Sequence, residues 1–349
     1  MRKTTWLSVV LLLSFIINVR VSHAQEKKFK AVCVAFYNLE NLFDTLDDPG
    51  TNDAEFTPAG TGRWDSKKYR VKLKNLAGVI GQIGDELVSD GPMMVGLSEV
   101  ENRRVIEDLV NTPPLKQKKY SIVHYDSPDL RGIDVAFIYQ SPYFKVTGSK
   151  PVLFTIPGRK DFHSRDILVV SGELEGDPIF LLVNHWPSRS SGQQETEPLR
   201  IAAADLCRKI TDSLLTVHPD AKIIIMGDLN DDPTDISIRD HLKAKQRKEL
   251  TGKNELYNPM WKMFNDGIGS LAYRDSWNLF DQIIVSSALL EKTKGGYHFY
   301  KAGVFDRKFL KQKGGQYAGY PFRTYAGGAY MGGYSDHFPV YVFLVKEIP

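Results

Sequence analysis

Two apolar segments, residues 167–174 and 178–184, are separated by only three residues, Glu-Gly-Asp. Both are rich in Ile, Leu, Val and Phe, a composition typical of β-strands. A connection this short can join only antiparallel neighbours, because parallel strands need a crossover of a dozen or more residues. The pair therefore excludes a purely parallel, doubly wound sheet.

Similar apolar runs recur along the chain and alternate in part with segments of helical periodicity. Helical periodicity is found at residues 66–88, where Leu73, Leu76 and Ile80 mark one apolar stripe, and at residues 195–217. The strand-like runs are residues 30–37, 93–98, 120–125, 133–139, 167–174, 178–184, 222–227, 280–286 and 338–345. This pattern predicts an α/β fold in which helices cover the outer faces of two mixed sheets.

The first 24 residues have the features of a secretory signal. They begin with basic residues, continue with an apolar stretch at 6–19 and end in a small-residue cleavage site at Ala24. A membrane span would need about 20 apolar residues, and Arg20 interrupts this stretch. We therefore expect residues 1–24 to be a signal peptide and the protein to be periplasmic or secreted.

Residues 25–349 are expected to form one large domain, because they contain no repeat, low-complexity tract or recognisable linker. The formal charge of +3 is accounted for by three basic residues within the first 24, so the remainder is formally neutral. It therefore lacks the global basic field of a stoichiometric nucleic-acid binder. Its two cysteines, Cys33 and Cys207, have apolar neighbours and are expected to be buried thiols rather than a disulfide.

Acidic, amide and imidazole residues stand at the boundaries of six strand-like runs. Strand ends in a sheet-based domain converge on a common rim, and such side chains are the groups that metal-assisted phosphate hydrolysis uses. In chain order they are Asn38 and Glu40, Glu99, His185, Asp228 and Asn230, Asp281, and Asp336 and His337.

The motifs around these residues resemble those of the endonuclease/exonuclease/phosphatase superfamily of deoxyribonuclease-like, metal-dependent phosphoesterases. They are NLEN at 38–41, LSEVEN at 97–102, GDLN at 227–230 and SDHFPV at 335–340. The resemblance covers nearly the whole chain after residue 24, in the family's motif order. It implies a four-layer α/β sandwich, with two mixed, mostly antiparallel β-sheets packed face to face and flanked by helices.

The resemblance implies a site for a hard divalent cation. Glu99 is the first expected metal ligand, and Asn38, Glu40 and Asp336 occupy further metal positions. Asn38 could alternatively contact the phosphate. Because these are oxygen ligands, we expect Mg²⁺, with Mn²⁺ or Ca²⁺ as possible substitutes.

Five residues are expected to be catalytic. Asp228 would orient or deprotonate the attacking water, and Asn230, two residues later in an extended chain, would hold a phosphoryl oxygen. Asp281 would hold His337 at the phosphate, where the imidazole acts either as general base or as electrostatic stabiliser. His185, near the leaving group, favours the deoxyribonuclease-like and sphingomyelinase-like branches over the abasic-site repair branch.

Two smaller features complete the expected site. Arg131 would clamp a phosphate, with Asp134 holding the arginine in place; the alternative is a salt bridge in a hairpin turn. Asp231 and Asp232, directly after Asn230, are assigned to the turn.

The function that these residues favour is metal-dependent phosphodiester hydrolysis, most simply by an endonuclease that binds nucleic acid transiently. No stable membrane span and no protein partner are inferred. A phospholipid or inositol-phosphate phosphoesterase is the alternative, for which Met260, Trp261, Met263 and Phe264 could contact lipid, unless they form a small satellite core. A non-catalytic phosphate-binding module fits less well, since every position that the chemistry requires is filled.

The leader generates the first testable prediction. If signal peptidase cleaves after Ala24, amino-terminal sequencing of protein isolated from its native cell should read from Gln25 onward. Material that begins at Met1 or Arg2 would contradict both the cleavage and the export.

Overall fold

The computed structural model describes residues 28–293 and 295–348, so the expected signal peptide lies outside the described residues. In chain order the strands are β1 (Lys28–Leu42), β2 (Met94–Val100), β3 (Tyr120–His124), β4 (Asp134–Gln140), β5 (Phe144–Val152), β6 (Ile167–Leu174), β7 (Asp177–His185), β8 (Lys222–Asp228), β9 (Ala244–Lys245), β10 (Leu256–Tyr257), β11 (Leu271–Tyr273), β12 (Ser276–Asn278), β13 (Asp281–Ser286), β14 (His298–Val304), β15 (Tyr325–Ala326), β16 (Ala329–Tyr330) and β17 (Val340–Ile348).

The α-helices are α1 (Ser66–Ile80), α2 (Arg103–Val110), α3 (Gln193–Val217) and α4 (Met260–Asn265). Helix α1 is shorter than the periodicity at 66–88 predicts. The chain turns at Gly84, which has a φ of +79°, and a Cβ at this position would lie 2.6 Å from the Cys33 Sγ. The apolar residues beyond Ile80 therefore pack on the sheet from a turn instead of a helix.

The long strands form two mixed sheets. The first has the order β14-β17-β1-β2-β4-β3, and the second β5-β6-β7-β8-β13-β10-β9. Most neighbours are antiparallel, including β6 and β7, but β1 runs parallel to β2 and β7 runs parallel to β8. These sheets and their flanking helices confirm the expected four-layer sandwich.

The two sheets pack closely where β2 crosses β8. Gly96 leaves room for Met226 and Phe36, because a Cβ at residue 96 would lie 2.6 Å from the Met226 Sδ and 3.1 Å from the Phe36 Cδ2. Interiors at this density tolerate little added volume. The glycine therefore sets how near the central strands of the two sheets can approach.

Helix α3 covers the outer face of the second sheet through small side chains. Ala203, Ala204 and Cys207 belong to the same buried cluster as Leu182 of β7 and Ile223 of β8. Cys207, like Cys33 in β1, is buried and unpaired, as its apolar neighbours predict.

Helix α4 contains the apolar residues that could have contacted lipid. Met260 is fully buried, and Met263 and Phe264 pack against the central core. These three residues therefore belong to the main core instead of a satellite core or an exposed apolar surface, and Trp261 is half-buried. Among the described residues, no helix has the length and apolar character needed to cross a membrane.

A buried arginine ties α3 to the turn that follows β8. Arg200 is fully buried; its Nε donates to Asp231 Oδ1 at 2.6 Å, and its Nη1 donates to Thr196 Oγ1 at 2.6 Å. Arg189 Nη2 also donates to Asp231 Oδ1, at 2.8 Å, and Asp231 Oδ2 accepts from Ser237 Oγ. Asp231 thus has the structural role that the turn position predicts.

This contact predicts a large loss of stability in Arg200→Ala. Removing the guanidinium leaves Asp231 with only Arg189 and Ser237 as partners, and the loss of a buried hydrogen bond to a charged group costs about 1.5–3 kcal/mol. Urea unfolding should detect this decrease in the free energy of unfolding. The control is Arg103→Ala. The ion pair between Arg103 and Glu107 on α2 is about half exposed, so this variant should lose at most about 1 kcal/mol of stability. Equal effects in the two variants would contradict the anchoring role of Arg200.

Candidate active site

The expected site residues lie where the long parallel strands of the two sheets end. In the first sheet, Asn38 is near the end of β1 and Glu99 near the end of β2. In the second sheet, β7 ends at His185 and β8 at Asp228. Parallel strands present their carboxyl ends at one edge of a sheet, and β1 packs against β8 across the core. The fold therefore brings these four side chains to one rim.

Strand register places three of the residues side by side. His185 is the partner of Asp228 in the parallel pair β7–β8, and Asp281 is its partner in the antiparallel pair β8–β13. Residues directly opposite one another project from the same face of a sheet. An imidazole and a carboxylate thus flank Asp228.

Asp228 is the centre of the site and is 3% exposed. Its Oδ2 accepts a 3.0 Å hydrogen bond from Asn38 Nδ2 of the other sheet, and its Oδ1 accepts one of 3.0 Å from the backbone N–H of Asn230. Burial, together with nearby Asp281 and Glu99, raises the pKa of Asp228 to about 7, although His337 opposes the shift. Such a carboxylate can accept a proton near neutral pH.

His337 and Asp281 form a buried pair, as expected. His337 Nδ1 lies 2.6 Å from Asp281 Oδ2, which also accepts from Ser270 Oγ. Burial disfavours the charged imidazole, but Asp281, Asp228 and Asp336 outweigh it and raise the pKa of His337 well above its usual value. These carboxylates therefore favour the charged form of His337, whose Nε2 lies 3.9 Å from Asp228 Oδ2.

His185 has the opposite electrostatic character. Its Nε2 is 3.7 Å from Asp228 Oδ2 and 3.9 Å from Glu99 Oε1. Burial lowers its pKa well below the usual value, and the positive charges of Arg165 and Arg131 act in the same direction. Burial and the nearby arginines thus favour the neutral form of His185, whereas the carboxylates around His337 favour its charged form.

Glu99 is held in an unusual backbone conformation. Its φ is +59°, in the left-handed region that non-glycine residues rarely adopt. Its Oε2 accepts a 2.9 Å hydrogen bond from the N–H of Asn41, while Oε1 faces His185. With its side chain 15% exposed, Glu99 is more accessible than Asp228.

Asn230 also has a left-handed backbone, with a φ of +51°. Its Nδ2 donates to the carbonyl oxygen of Trp186 at 3.0 Å. The same carbonyl accepts a 2.6 Å hydrogen bond from Arg165 Nη2. The amide of Asn230 is thus fixed beside the segment that follows His185.

Glu40 lies in a separate group of contacts. Its Oε2 accepts a 2.6 Å hydrogen bond from Thr324 N and one of 3.5 Å from Lys72 Nζ. Its Oε1 is 3.6 Å from Arg323 Nε. Burial raises the pKa of Glu40, although Lys72 opposes the shift. The structure therefore surrounds this carboxylate with basic and amide donors instead of the other expected metal ligands.

Asp336 contacts both Arg323, which also lies beside Glu40, and His337 at the rim. Its Oδ2 accepts a 2.5 Å hydrogen bond from Arg323 Nη2, and its Oδ1 is 3.9 Å from His337 Nε2. Burial disfavours its charge, but His337 and Arg323 hold the pKa of Asp336 below its usual value. Arg323 and Lys72 were not identified from the sequence; Arg323 lies in the segment before SDHFPV, in the described chain's most tyrosine-rich region.

The expected pairing of Arg131 with Asp134 is wrong. Asp134 instead contacts His124 Nε2 at 2.9 Å and accepts from Ser127 N at 2.7 Å. The half-exposed Arg131 side chain has its Nε 3.7 Å from Asp129 Oδ1. Asp134, at the start of β4, is thus bound to His124 of β3 and to the segment that follows it. Arg131 pairs instead with Asp129 within the turn.

Arg165 is a further basic residue that the sequence did not reveal. It is buried, and besides the Trp186 carbonyl it contacts Asp129 Oδ2 at 3.1 Å. An isolated arginine before an apolar strand gives no signal by itself. Its position beside His185 depends on the long-range pairing of β6 with β7.

The donor set at the rim suits a hard divalent cation. Glu99 Oε1, Asp228 and Asn38 supply carboxylate and amide oxygens, which hard cations prefer. One oxygen or nitrogen from each of Asp228, Asp281 and His337 also lies within 4.8 Å of the others. Asp281 Oδ1 is buried without a hydrogen-bond partner, so this part of the site has capacity to bind a positively charged or donating group.

Comparisons with known proteins identify the family of this chain. A family model described as "Endonuclease/Exonuclease/phosphatase family" matches residues 33–346. A search of curated protein sequences found no match.

Several solved structures share the fold. A structure of D. rerio TDP2 complexed with single strand DNA product is 14% identical, with a TM-score of 0.52, and the match covers 90% of this chain and 98% of that one. A family protein from Bacteroides thetaiotaomicron is 16% identical, with a TM-score of 0.54 and coverage of 92% and 97%. A mannosyl-6-phosphatase from the same species is 17% identical, with a TM-score of 0.52 and coverage of 90% and 99%.

At these identities the structural matches establish the fold, whereas the family model spans nearly the whole described chain. Members of this family are phosphoric-ester hydrolases that generally depend on divalent metal ions. The protein is therefore a member of the endonuclease/exonuclease/phosphatase family and a phosphoric-ester hydrolase of that type.

Proposed function

We propose that the protein is an exported, Mg²⁺-dependent phosphodiesterase that acts as an endonuclease on nucleic acid. The observation that carries this proposal is the convergence at one rim of a buried carboxylate, Asp228, and two imidazoles, His185 and His337, whose Nε2 atoms lie 3.7 Å and 3.9 Å from Asp228 Oδ2. Export rests on the signal features of residues 1–24.

The cation and its ligands form the first part of the proposed mechanism. Glu99 and Asn38 would hold the cation, whereas Glu40 and Asp336 are engaged by Lys72 and Arg323. When bound, Mg²⁺ would neutralise charge on the phosphoryl oxygens. Asp228, whose Oδ2 already accepts from Asn38, would orient the attacking water and accept its proton.

The two histidines would have different roles. The imidazolium of His337, held by Asp281, would stabilise negative charge that develops on the phosphoryl group. His185, neutral because of burial, would donate a hydrogen bond to the leaving-group oxygen. Asn230 would contact a phosphoryl oxygen through the side-chain amide hydrogen that does not bind the Trp186 carbonyl.

A cavity beside the rim supports a substrate with planar rings. It has a volume of about 410 Å³ and extends from Asp336 and Arg323 along Tyr273, Tyr317 and Tyr320. Tyr273 and Tyr317 are exposed. Aromatic side chains in such positions can stack on the bases of single-stranded nucleic acid, at about 1–3 kcal/mol per base. The resemblance in fold to TDP2 solved with single strand DNA product is consistent with this substrate class.

The lipid alternative receives less support from the structure. Of the four residues that could have entered a lipid surface, Met260, Met263 and Phe264 pack against the core, and Trp261 is half-buried. Inositol phosphates and sugar phosphates remain alternative substrates, because they present the same phosphoryl group to the rim.

The proposal predicts a substrate preference and a metal requirement. In the presence of Mg²⁺, the protein that begins at Gln25 should have a higher kcat/KM for plasmid or single-stranded DNA than for sphingomyelin, inositol phosphates or mannose 6-phosphate. Chelation should abolish this turnover and added Mg²⁺ or Mn²⁺ should restore it, because the ligands are oxygens.

The matched control is Glu99→Gln, which keeps the side-chain shape but weakens cation binding and should remain inactive in Mg²⁺. Full turnover in excess chelator would contradict the metal mechanism. Preferred cleavage of a lipid or sugar phosphate would contradict the nuclease assignment while leaving the metal mechanism intact.

The histidine–aspartate pair generates a second activity prediction. His337→Ala should lower kcat by about 10²-fold or more, the size of general acid–base and electrostatic effects. Asp281→Asn should lower it as well. The double variant should lose far less than the product of the two single losses, because Asp281 acts through the imidazole.

Two histidines outside the site serve as controls. His163 is exposed, and His218 stacks on Phe180 with ring centroids 5.3 Å apart, so alanine at either position should leave kcat near that of the wild type. Near-normal turnover by His337→Ala on a substrate that Glu99→Gln cannot cleave would mean that the metal site is real and the histidine role wrong.

A further inference from the structure

Three acidic side chains outside the catalytic set form a second cluster, the carboxylate triad of Asp48, Asp53 and Glu101. One carboxylate oxygen from each lies within 4.8 Å of the other two. Asp48 and Asp53 belong to the loop that follows β1, and Glu101 directly follows β2. The triad therefore lies where the chain leaves the two strands that carry Asn38 and Glu99.

Two oxygens of the triad are buried without a hydrogen-bond partner. They are Asp53 Oδ1 and Glu101 Oε1, on side chains only 1% and 6% exposed. The other oxygen of each carboxylate is bound to backbone: Asp53 Oδ2 accepts from Asp48 N at 3.0 Å, and Glu101 Oε2 accepts from Asp44 N at 2.7 Å. These backbone hydrogen bonds fix the position of both carboxylates, and each carboxylate keeps one oxygen that accepts no hydrogen bond.

Within the part of the chain that the structure describes, no ion pair involves any member of the triad, and Arg104 acts on Glu101 and Asp48 only through a longer-range positive field. Arg104 lies in this region, but its Nη2 binds Asp44 Oδ2. Burying unpaired charge is strongly unfavourable unless the charge is neutralised by a partner. A cation bound between the three carboxylates would neutralise this charge.

We propose that the carboxylate triad binds a hard divalent cation, Ca²⁺ in preference to Mg²⁺, at a structural site separate from the catalytic one. All three ligands are carboxylates, as hard cations prefer, and Ca²⁺ tolerates the irregular geometry of a loop better than Mg²⁺ does. Asp48 is half-buried, which leaves one side of the site open to water as additional ligand.

The consequence of this cation is order in the loops around the rim. Asn52, next to Asp53, donates its N–H to the carbonyl of Leu130 at 2.8 Å, beside Arg131. Glu101 donates its N–H to the carbonyl of Leu42 at 3.1 Å. A cation at the triad would thus join the loop after β1, the end of β2 and the Arg131 turn into one unit.

A proton shared between the carboxyl groups is the competing way to neutralise the triad. The two explanations differ in what they bind, so the test measures cation stoichiometry instead of activity. Glu99→Gln combined with Asp228→Asn removes ligands of the catalytic site and serves as the background protein. The result is then independent of the proposed nuclease function.

Calorimetric titration of the background protein with Ca²⁺ should give one site per chain, and Mg²⁺ should bind the same site more weakly. Adding Asp53→Asn should weaken this binding by about tenfold or more, because one buried ligand loses its charge. Adding Asp212→Asn, on the exposed face of α3, should leave it unchanged. If Asp53→Asn does not fold, the half-buried Asp48→Asn replaces it.

Thermal unfolding provides the second readout. Ca²⁺ should raise the Tm of the background protein, since a ligand that binds only the folded state stabilises it, and the triad variant should lose most of this rise. Absence of Ca²⁺ binding by the background protein would overturn the proposal. Binding that is unaffected by both Asp53→Asn and Glu101→Gln would also overturn it.

Discussion

The hydrogen bond from Asn38 Nδ2 to Asp228 Oδ2 joins the two sheets at the rim on which the chemistry depends. Each partner lies at the end of a strand in a parallel pair, so the bond also fixes the neighbouring strands that carry Glu99 and His185. The nearly complete burial of Asp228 gives the site its electrostatic character. It raises the pKa of this carboxyl, whereas the carboxylates around His337 keep that imidazole charged.

The sequence predicts the sandwich and most of the rim because both depend on local patterns. Asp281 and His337 stand next to apolar runs, and strand ends meet at one edge. The edge strands β5 and β14 were not predicted, since residues such as Lys145, Pro151 and Lys301 make them too polar or too irregular for a strand signal. Arg323 and Lys72 were missed for another reason: their contacts with Glu40 join segments 32 and more residues apart, which no local pattern reveals.

Glu40 shows how backbone conformation overrides side-chain alternation. In a regular strand, Asn38 and Glu40 would project from the same face. The register of β1 against β2 shifts between Asn38 and Leu42, and Glu40 and Asn41 have φ values of +51° and +53°. Left-handed backbone at non-glycine residues costs about 1–2 kcal/mol each. Together with Glu99 and Asn230, these residues concentrate strain at the rim, as is common at functional sites.

The close contact of Gly96 with Met226 and Phe36 connects the deep core to this rim. Phe36 precedes Asn38 by two residues on β1, and Met226 precedes Asp228 by two residues on β8. A side chain at residue 96 would press apart the same strands that must hold Asn38 and Asp228 within hydrogen-bonding distance. Selection for hydrolysis would therefore act on a buried glycine that touches neither substrate nor metal, and the spacing of the sheets is itself part of the catalytic apparatus.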